Sequence, residues 1–494
     1  MTDRSAVRTG ETEIRPLYPA LRAVAMRAPD APAVVGFDGT ALAYGQLLET
    51  TDAVAEALSG SVRSARVVGL ALDDPLTFVA AYFAAAKLGL VIVLLDSRAA
   101  PEETARLAAK FDLDVLVRDG AAGSGSIAVE AIGTAGRGAA MSHEYLPADF
   151  VVHCTSGSTG EPKGIVMSQP AVMERVRSWS HHGELRPSDV VLCALPLWHG
   201  HGIDVLTLPS LLSGAKVVFA RGAHLTARGL ARMIDAHAVT IVSGLPVMYH
   251  MLVEADGVDR SMLGSLRLAL TGSAPISADT QVKFREQFGL PLRQGYGLGE
   301  IGIITYDAAY AGPGTIGLPL SGIDWRLEPV EMPDGESQVF ELLVRGPSLA
   351  RGYYRDPAAE ATMFVDGWLR THDLVAVRPD GWFIRGRKST FINVTGNKVA
   401  PTEVEMALRK CDGVIDCAVV GVPDGECGER VAALIVSGAA GDPETVRRQV
   451  GAHLLPHQFP QTYTFAATVP RTPVGKIDYE AVRRIIHSDG AISE

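Results

Sequence analysis

The run Thr155-Ser156-Gly157-Ser158-Thr159-Gly160-Glu161-Pro162-Lys163-Gly164 constrains this chain more than any other stretch. Three glycines, four hydroxyl residues and one lysine share ten positions. Glycine lets backbone N–H groups turn toward an anion, the hydroxyls add donors, and Lys163 adds a point charge, so the run reads as a phosphate cradle. Apolar residues at 150–154 and 165–167 read as strands on either side, which puts the cradle between strands. The P-loop pattern needs Gly-Lys followed by Ser or Thr. Here Lys163 follows Pro162 and precedes Gly164, so that pattern is not met. Pro162-Lys163 and the flanking strands do not suit a flexible Gly/Ser linker either.

A chain of 494 residues exceeds what one hydrophobic core usually supports, so two or more domains are expected. A net charge of −11 argues against a nucleic-acid surface. Five scattered cysteines give neither a disulfide framework nor CxxC spacing, and no HExxH occurs. Residues 1–13 are polar with both charges, which reads against a signal peptide. Apolar runs such as 88–95 are too short to span a bilayer. These features point to a cytoplasmic enzyme with no nucleic acid as partner; they do not choose between a monomer and a homodimer.

Helical spacing is read over 17–28, 44–58, 75–88 and 102–111. Strands are read at 33–35, 41–44, 67–72, 91–95 and 115–117. This alternation argues for a parallel or mixed sheet with helices outside. Residues 119–143, rich in Gly and Ala, read as a surface loop. Beyond the cradle come helix 171–180, strand 190–195 and the run Pro196-Leu197-Trp198-His199-Gly200-His201-Gly202-Ile203-Asp204, then a helix to 212. Strands at 217–219, 239–242 and 266–272 alternate with helices 227–237 and 278–288. Turn signals at 313–314, 333–335, 366–367 and 379–381 punctuate a β-rich region. Helices 403–410 and 444–454 with strands 414–422 and 429–436 form an α+β unit at the end.

Four further runs carry chemistry. In Tyr296-Gly297-Leu298-Gly299-Glu300, an aromatic beside glycines can stack on a purine, and the carboxylate four residues on can hold Mg²⁺. The others are Trp368-Leu369-Arg370-Thr371-His372-Asp373, then Gly386-Arg387-Lys388-Ser389 with Asn393, and Pro473-Val474-Gly475-Lys476.

Taken in order with the cradle, these runs resemble the signature motifs of the adenylate-forming superfamily of acyl- and aryl-CoA synthetases, peptide-synthetase adenylation domains and luciferases. The resemblance spans about residues 15–485. It implies an α/β and α+β fold. The large N-terminal domain, 1–388, has mixed β-sheets with surrounding helices plus a β-rich subdomain. The small mobile α+β C-terminal domain is 389–494. It implies ATP-dependent activation of a small acyl or aryl acid as an acyl-adenylate, then transfer to coenzyme A or a carrier-protein phosphopantetheine. Two alternatives stand beside that reading: adenylation of a non-carboxylate oxyanion, and a non-catalytic nucleotide-binding regulator.

By the same resemblance, Thr155, Ser156, Gly157, Ser158, Thr159 and Gly160 bind ATP with Ser273, Ala274, Pro275, Gly295, Tyr296 and Gly297. Asp373 accepts the ribose hydroxyls, two donors on one carboxylate, and Arg387 contacts ribose or phosphate. Glu300 and Thr155 hold Mg²⁺, while Lys163 and Lys476 act in catalysis, Lys476 on charge developing at the α-phosphate. Trp198, His199, His201, Gly272 and Gly297 line the acid pocket, and Ser389 is the hinge. The chain departs from the pattern at Gly299, where relatives carry Thr, at His372 for Gly, at Ser389 for Asp or Lys, and at Asn393 for Lys. Amino-acid-activating relatives carry an amine-binding Asp where this chain has His201.

Overall fold

The computed structural model describes residues 17–61, 66–121, 125–132, 144–155, 162–330, 339–379, 381–388, 392–394, 397–424, 428–438, 443–451, 454–472 and 475–490. In it, the helix Pro75–Leu88 shows how local chemistry and packing agree. Asp74 caps it by accepting from Thr77 N, proline opens its first turn, and Gly89 closes it at φ 75°. Every residue from Pro75 to Ala86 is buried. A helix apolar on all sides must be enclosed, and the helices Leu17–Arg27 and Tyr44–Ser61 pack against it.

The chain forms two compact units. The first comprises Met1–Arg221, Gly299–Gly302 and Pro347–Glu360. Its seven-stranded sheet runs in the order Gly352–Tyr353, Lys163–Ser168, Asp149–Thr155, Val91–Leu94, Val67–Ala71, Val115–Asp119, Ile127–Ala131. The central pairs are parallel, and both edges are antiparallel. Buried on both faces, the central strands read as continuous Val/Ile/Leu runs. This unit also carries the strands Val190–Cys193, Lys216–Phe219 and Pro32–Val35, parallel to one another, with Ala41–Ala43 antiparallel at their edge.

The second unit comprises Gly222–Leu298, Ile303–Gly346 and Ala361–Glu494. Its strands Ile241–Gly244, Leu268–Thr271 and Leu292–Leu298 are parallel. Helices Pro246–Glu254 and Ala278–Phe288 pack together beside them. An antiparallel sheet follows, built on Asp324–Pro329, Val339–Arg345, Trp368–Arg378 and Gly381–Arg387. The last sheet pairs Val414–Asp424 with Gly428–Ser437, to which Thr462–Phe465 adds in parallel. Cys417 and Val419 join one buried cluster with helices Pro401–Leu408 and Pro443–Val450. Ala418, Val420 and Val422 join another with Val482 and Ile486 of helix Tyr479–Gly490. The alternation is that of a strand covered on both faces.

The mixed sheets with surrounding helices, the β-rich portion and the α+β C-terminal part match the fold class expected. Two local expectations are corrected. Within 119–143, read as a loop, Ile127–Ala131 is a strand antiparallel to Val115–Asp119. It is an edge strand with no fully buried residue, so it shows little apolar alternation. The segment read as one helix to 212 begins as a π-helix, His201–Thr207, before the α-helix Leu208–Leu212. The expected 388/389 boundary meets residues outside the described set, since 389–391 are not described.

Candidate active site

The cradle is the connection of a β-hairpin. Thr155 pairs with Lys163 across it, and Cys154 with Gly164. Gly164 is required by packing, because a Cβ there would stand 2.3 Å from Phe111 Cε1. Ser156, Gly157, Ser158, Thr159 and Gly160 lie outside the described residues. Lys163 Nζ stands 5.4 Å from the centroid of the Tyr353 ring, a cation–π contact. Tyr353 Oη in turn donates to Glu300 Oε1 at 2.5 Å, and Ala350 N donates to the Glu300 carbonyl at 2.6 Å. Lys163 and Glu300, far apart in sequence, thus meet through a tyrosine no motif contains.

Among the described residues no group of three or more His, Cys, Asp or Glu could hold a metal ion. A single half-buried carboxylate at Glu300 fits Mg²⁺, which takes one or two carboxylates and completes its shell with water and substrate phosphates. The departure at Gly299 has a steric basis. A Cβ at that position would stand 2.7 Å from Ile165 Cδ1 and 3.8 Å from Thr155 Cγ2. Ile165 occupies the room that a side chain at 299 would need.

In the second unit, Tyr296, Asp373 and Arg387 converge. Tyr296 Oη donates to Asp373 Oδ2 at 2.6 Å, and Arg387 Nε lies 3.3 Å from Asp373 Oδ1. Burial, reinforced by the Asp373 charge, holds the Tyr296 phenol well above its usual pKa, so it remains a donor. Asp373 and Arg387 are register partners on adjacent strands. His372 sits at φ 58°, the left-handed region that favours glycine. Its Nδ1 lies 3.1 Å from Glu341 Oε1. Glu341 also receives Arg370 and Lys388, both at 2.8 Å. Burial raises the Glu341 pKa, but Lys388 and Arg370 outweigh it and hold the carboxyl below its ordinary range.

Gly272, Ser273, Ala274 and Pro275 follow the carboxyl end of Leu268–Thr271, and Gly295 and Gly297 lie on Leu292–Leu298. The carboxyl ends of parallel strands are where open α/β sheets bind ligands. Ser273 is left-handed at φ 66°. The Lys476 turn is closed by Gly475 N to Thr472 O at 2.8 Å and Thr472 N to Lys476 O at 2.7 Å, with Gly475 at φ 78°. A Cβ on Gly475 would stand 2.4 Å from Leu245 Cδ1, so this turn packs beside the carboxyl end of Ile241–Gly244. Lys476 itself is exposed. Ser389 lies outside the described residues, as does the side chain of Asn393.

Of the pocket candidates, Trp198, His199 and His201 belong to the first unit, and Gly272 and Gly297 to the second. The Trp198 and His199 rings are perpendicular with centroids 6.4 Å apart. His201 N donates to His199 Nδ1 at 3.3 Å and begins the π-helix, whose Leu208 N–H reaches back to Ile203 O. Single π-turns of this kind collect at functional sites. Asp204, on the same turn, is buried and paired to Arg175 NH1 at 3.0 Å. Sequence reasoning missed Arg175 and Tyr353. The one available signal for Arg175 was a charge on the apolar stripe Val172, Val176, Trp179 of helix Gln169–His182.

Residues 21–354 match the AMP-binding enzyme family and residues 403–476 match the AMP-binding enzyme C-terminal domain, so the chain belongs to that family. A feruloyl-CoA synthase of Amycolatopsis sp is 31% identical over 474 residues, covering 90% of this chain and 94% of its own. ATP-bound MatB from Rhodopseudomonas palustris superposes with a TM-score of 0.81 at 23% identity, over 94% of this chain and 98% of that one. The amide bond synthetase McbA from Marinactinospora thermotolerans superposes with a TM-score of 0.79 at 27% identity, over 95% and 99%. The activity is the family's: ATP-dependent activation of an acid as an acyl-adenylate and transfer of the acyl group to a thiol. ATP is its substrate, and Mg²⁺ is typical of the family. Among the described residues, no helix is long and apolar enough to cross a membrane.

Proposed function

We propose that this chain is an AMP-forming synthetase for a small aryl or short acyl carboxylic acid without a recognised α-amino group, with coenzyme A or a carrier-protein phosphopantetheine as acceptor. One observation carries the choice of acid. His201 stands where an amine-binding carboxylate would be needed, and the next carboxylate, Asp204, is buried against Arg175. A substrate ammonium buried without an acidic partner is costly. The feruloyl-CoA synthase relative, named for an aryl acid, supports the same class.

In this reading Thr155, Ser156, Gly157, Ser158, Thr159, Gly160 and Lys163 hold the β- and γ-phosphates, and Glu300 with Thr155 holds Mg²⁺, whose charge offsets that of the leaving pyrophosphate. Tyr296 stacks on adenine beside Ser273, Ala274, Pro275, Gly295 and Gly297. Asp373 and Arg387 take the ribose. Trp198, His199, His201, Gly272 and Gly297 surround the acid. Its carboxylate oxygen attacks the α-phosphorus, the bridging P–O bond to pyrophosphate breaks, and Lys476 stabilises the charge. The thiolate sulfur then attacks the acyl carbon, and AMP leaves with the bonding electron pair. The small domain, 389–494, turns about Ser389 between the two steps, since Lys476 at the α-phosphate would obstruct the thiol.

Acid-dependent pyrophosphate exchange over a panel of aryl, short acyl and proteinogenic amino acids, followed by product analysis with coenzyme A, tests this. Exchange with aryl or short acyl acids and a thioester product is expected. Selective exchange with one α-amino acid would overturn the substrate reading, and an amide without a thioester would overturn the acceptor.

A further inference from the structure

Arg175 belongs to no motif, yet its guanidinium joins three segments of the first unit. Its side chain is 5% exposed. Nε donates to Ser348 O at 3.3 Å, NH2 to Gly299 O at 2.9 Å, and NH1 to Asp204 Oδ2 at 3.0 Å. Gly302, at φ 86°, closes over its stem, for a Cβ there would stand 3.2 Å from Arg175 Cγ. Asp204 also lies 3.6 Å from His153 Nε2, on the strand Asp149–Thr155 that becomes the cradle.

A guanidinium offers its donors in a rigid planar fork, so it fixes the relative placement of what it holds. Gly299 directly precedes Glu300. Ser348 lies just before Ala350 and Tyr353, which bind the Glu300 carbonyl and carboxylate. Asp204 sits on the π-helical turn that begins at His201. Both sides of the Glu300 anchorage and the pocket turn therefore end on one buried cation.

We propose that Arg175 is a positioning residue for adenylation, holding the Glu300 loop at a set distance from the pocket turn 201–207. The inference rests on the assignments of Glu300 to Mg²⁺ and of Trp198, His199 and His201 to the acid made under the proposed function. It makes Arg175 the element through which the shape of the acid pocket and the magnesium–nucleotide side depend on each other.

Three variants test it: Arg175→Lys, Arg175→Met and the double variant Arg175→Met/Asp204→Leu. The double variant replaces a buried ion pair by apolar side chains, a change that is often neutral or stabilising for the fold, so it keeps the test open if Arg175→Met alone fails to fold. Three readouts are needed: melting temperature, ATP affinity by calorimetry with and without Mg²⁺ in the absence of acid, and kcat and KM in pyrophosphate exchange. The double variant should melt near wild type. Its gain in ATP affinity on adding Mg²⁺ should shrink, and kcat should fall about 10²-fold, the usual effect of a small misplacement of reacting groups. Arg175→Lys keeps charge against Asp204 but cannot reach both carbonyls, and should share the kcat defect while keeping stability. Wild-type kcat and Mg²⁺ response in the double or lysine variant would overturn the inference. Wild-type protein that activates no acid would instead sink the proposed function, with the calorimetric comparison still deciding the role of Arg175.

Discussion

Tyr353 donates its hydroxyl to Glu300 at 2.5 Å, on a residue that shares no sequence motif with it. A hydrogen bond to a charged group contributes about 1.5–3 kcal/mol. Tyr353→Phe should therefore loosen Glu300 and raise the Mg²⁺ concentration needed for half-maximal pyrophosphate exchange about tenfold, with little change in melting temperature. An unaltered Mg²⁺ requirement would show that the tyrosine does not support the metal site.

The lysine on the Gly475 turn is expected to serve adenylation alone. Lys476→Ala should cut acid-dependent pyrophosphate release by roughly 10³-fold, as loss of a charge aimed at a developing anion does, while ATP still binds. Release at near the wild-type rate would remove Lys476 from the mechanism.

The Tyr296–Asp373–Arg387 group predicts sugar selectivity. Wild-type protein should bind ATP more tightly than 2′-deoxy-ATP or 3′-deoxy-ATP in calorimetric titrations. Asp373→Asn should bind ATP about tenfold more weakly, the value of one charge-assisted bond, and should discriminate less among the three. Undiminished discrimination would place the ribose elsewhere.

His153 gives a pH dependence. Burial holds its pKa below the ordinary histidine value, and the opposing pull of Asp204 is weaker. A folded pKa below the unfolded one means that the neutral ring stabilises the fold above about pH 6.5 and that this contribution is lost as pH falls through the folded value. The melting temperature of wild type should drop over that acidic range, and His153→Gln should flatten the drop. Parallel pH profiles would show that His153 does not control acid stability.

The residues legible in the sequence are those whose chemistry demands fixed types in short runs. Lys163, Glu300 and Lys476 each stand beside a glycine that marks them. Arg175 was not legible because its partners lie 29, 124 and 173 residues away in the chain. Only folding shows that a cation on an apolar stripe meets a carboxylate and two carbonyls. Tyr353 is hidden for the same reason, as a buried aromatic in a short edge strand. The strand Ile127–Ala131 carries no clear signal because an exposed edge does not require apolar alternation. The π-helix leaves no mark in composition, since it differs from an α-helix only in which carbonyl each N–H selects.

That last difference has an engineering consequence. A π-turn accommodates one residue more than an α-turn over the same rise, so His201–Thr207 carries a built-in phase offset. Deleting one residue there would return the turn to α-helical phase and swing Asp204 by on the order of 100° around the axis. Which side chains this turn presents, and which it buries against Arg175, is therefore set by the length of the chain through it as well as by side-chain identity, so a changed residue count can re-aim what no point substitution reaches.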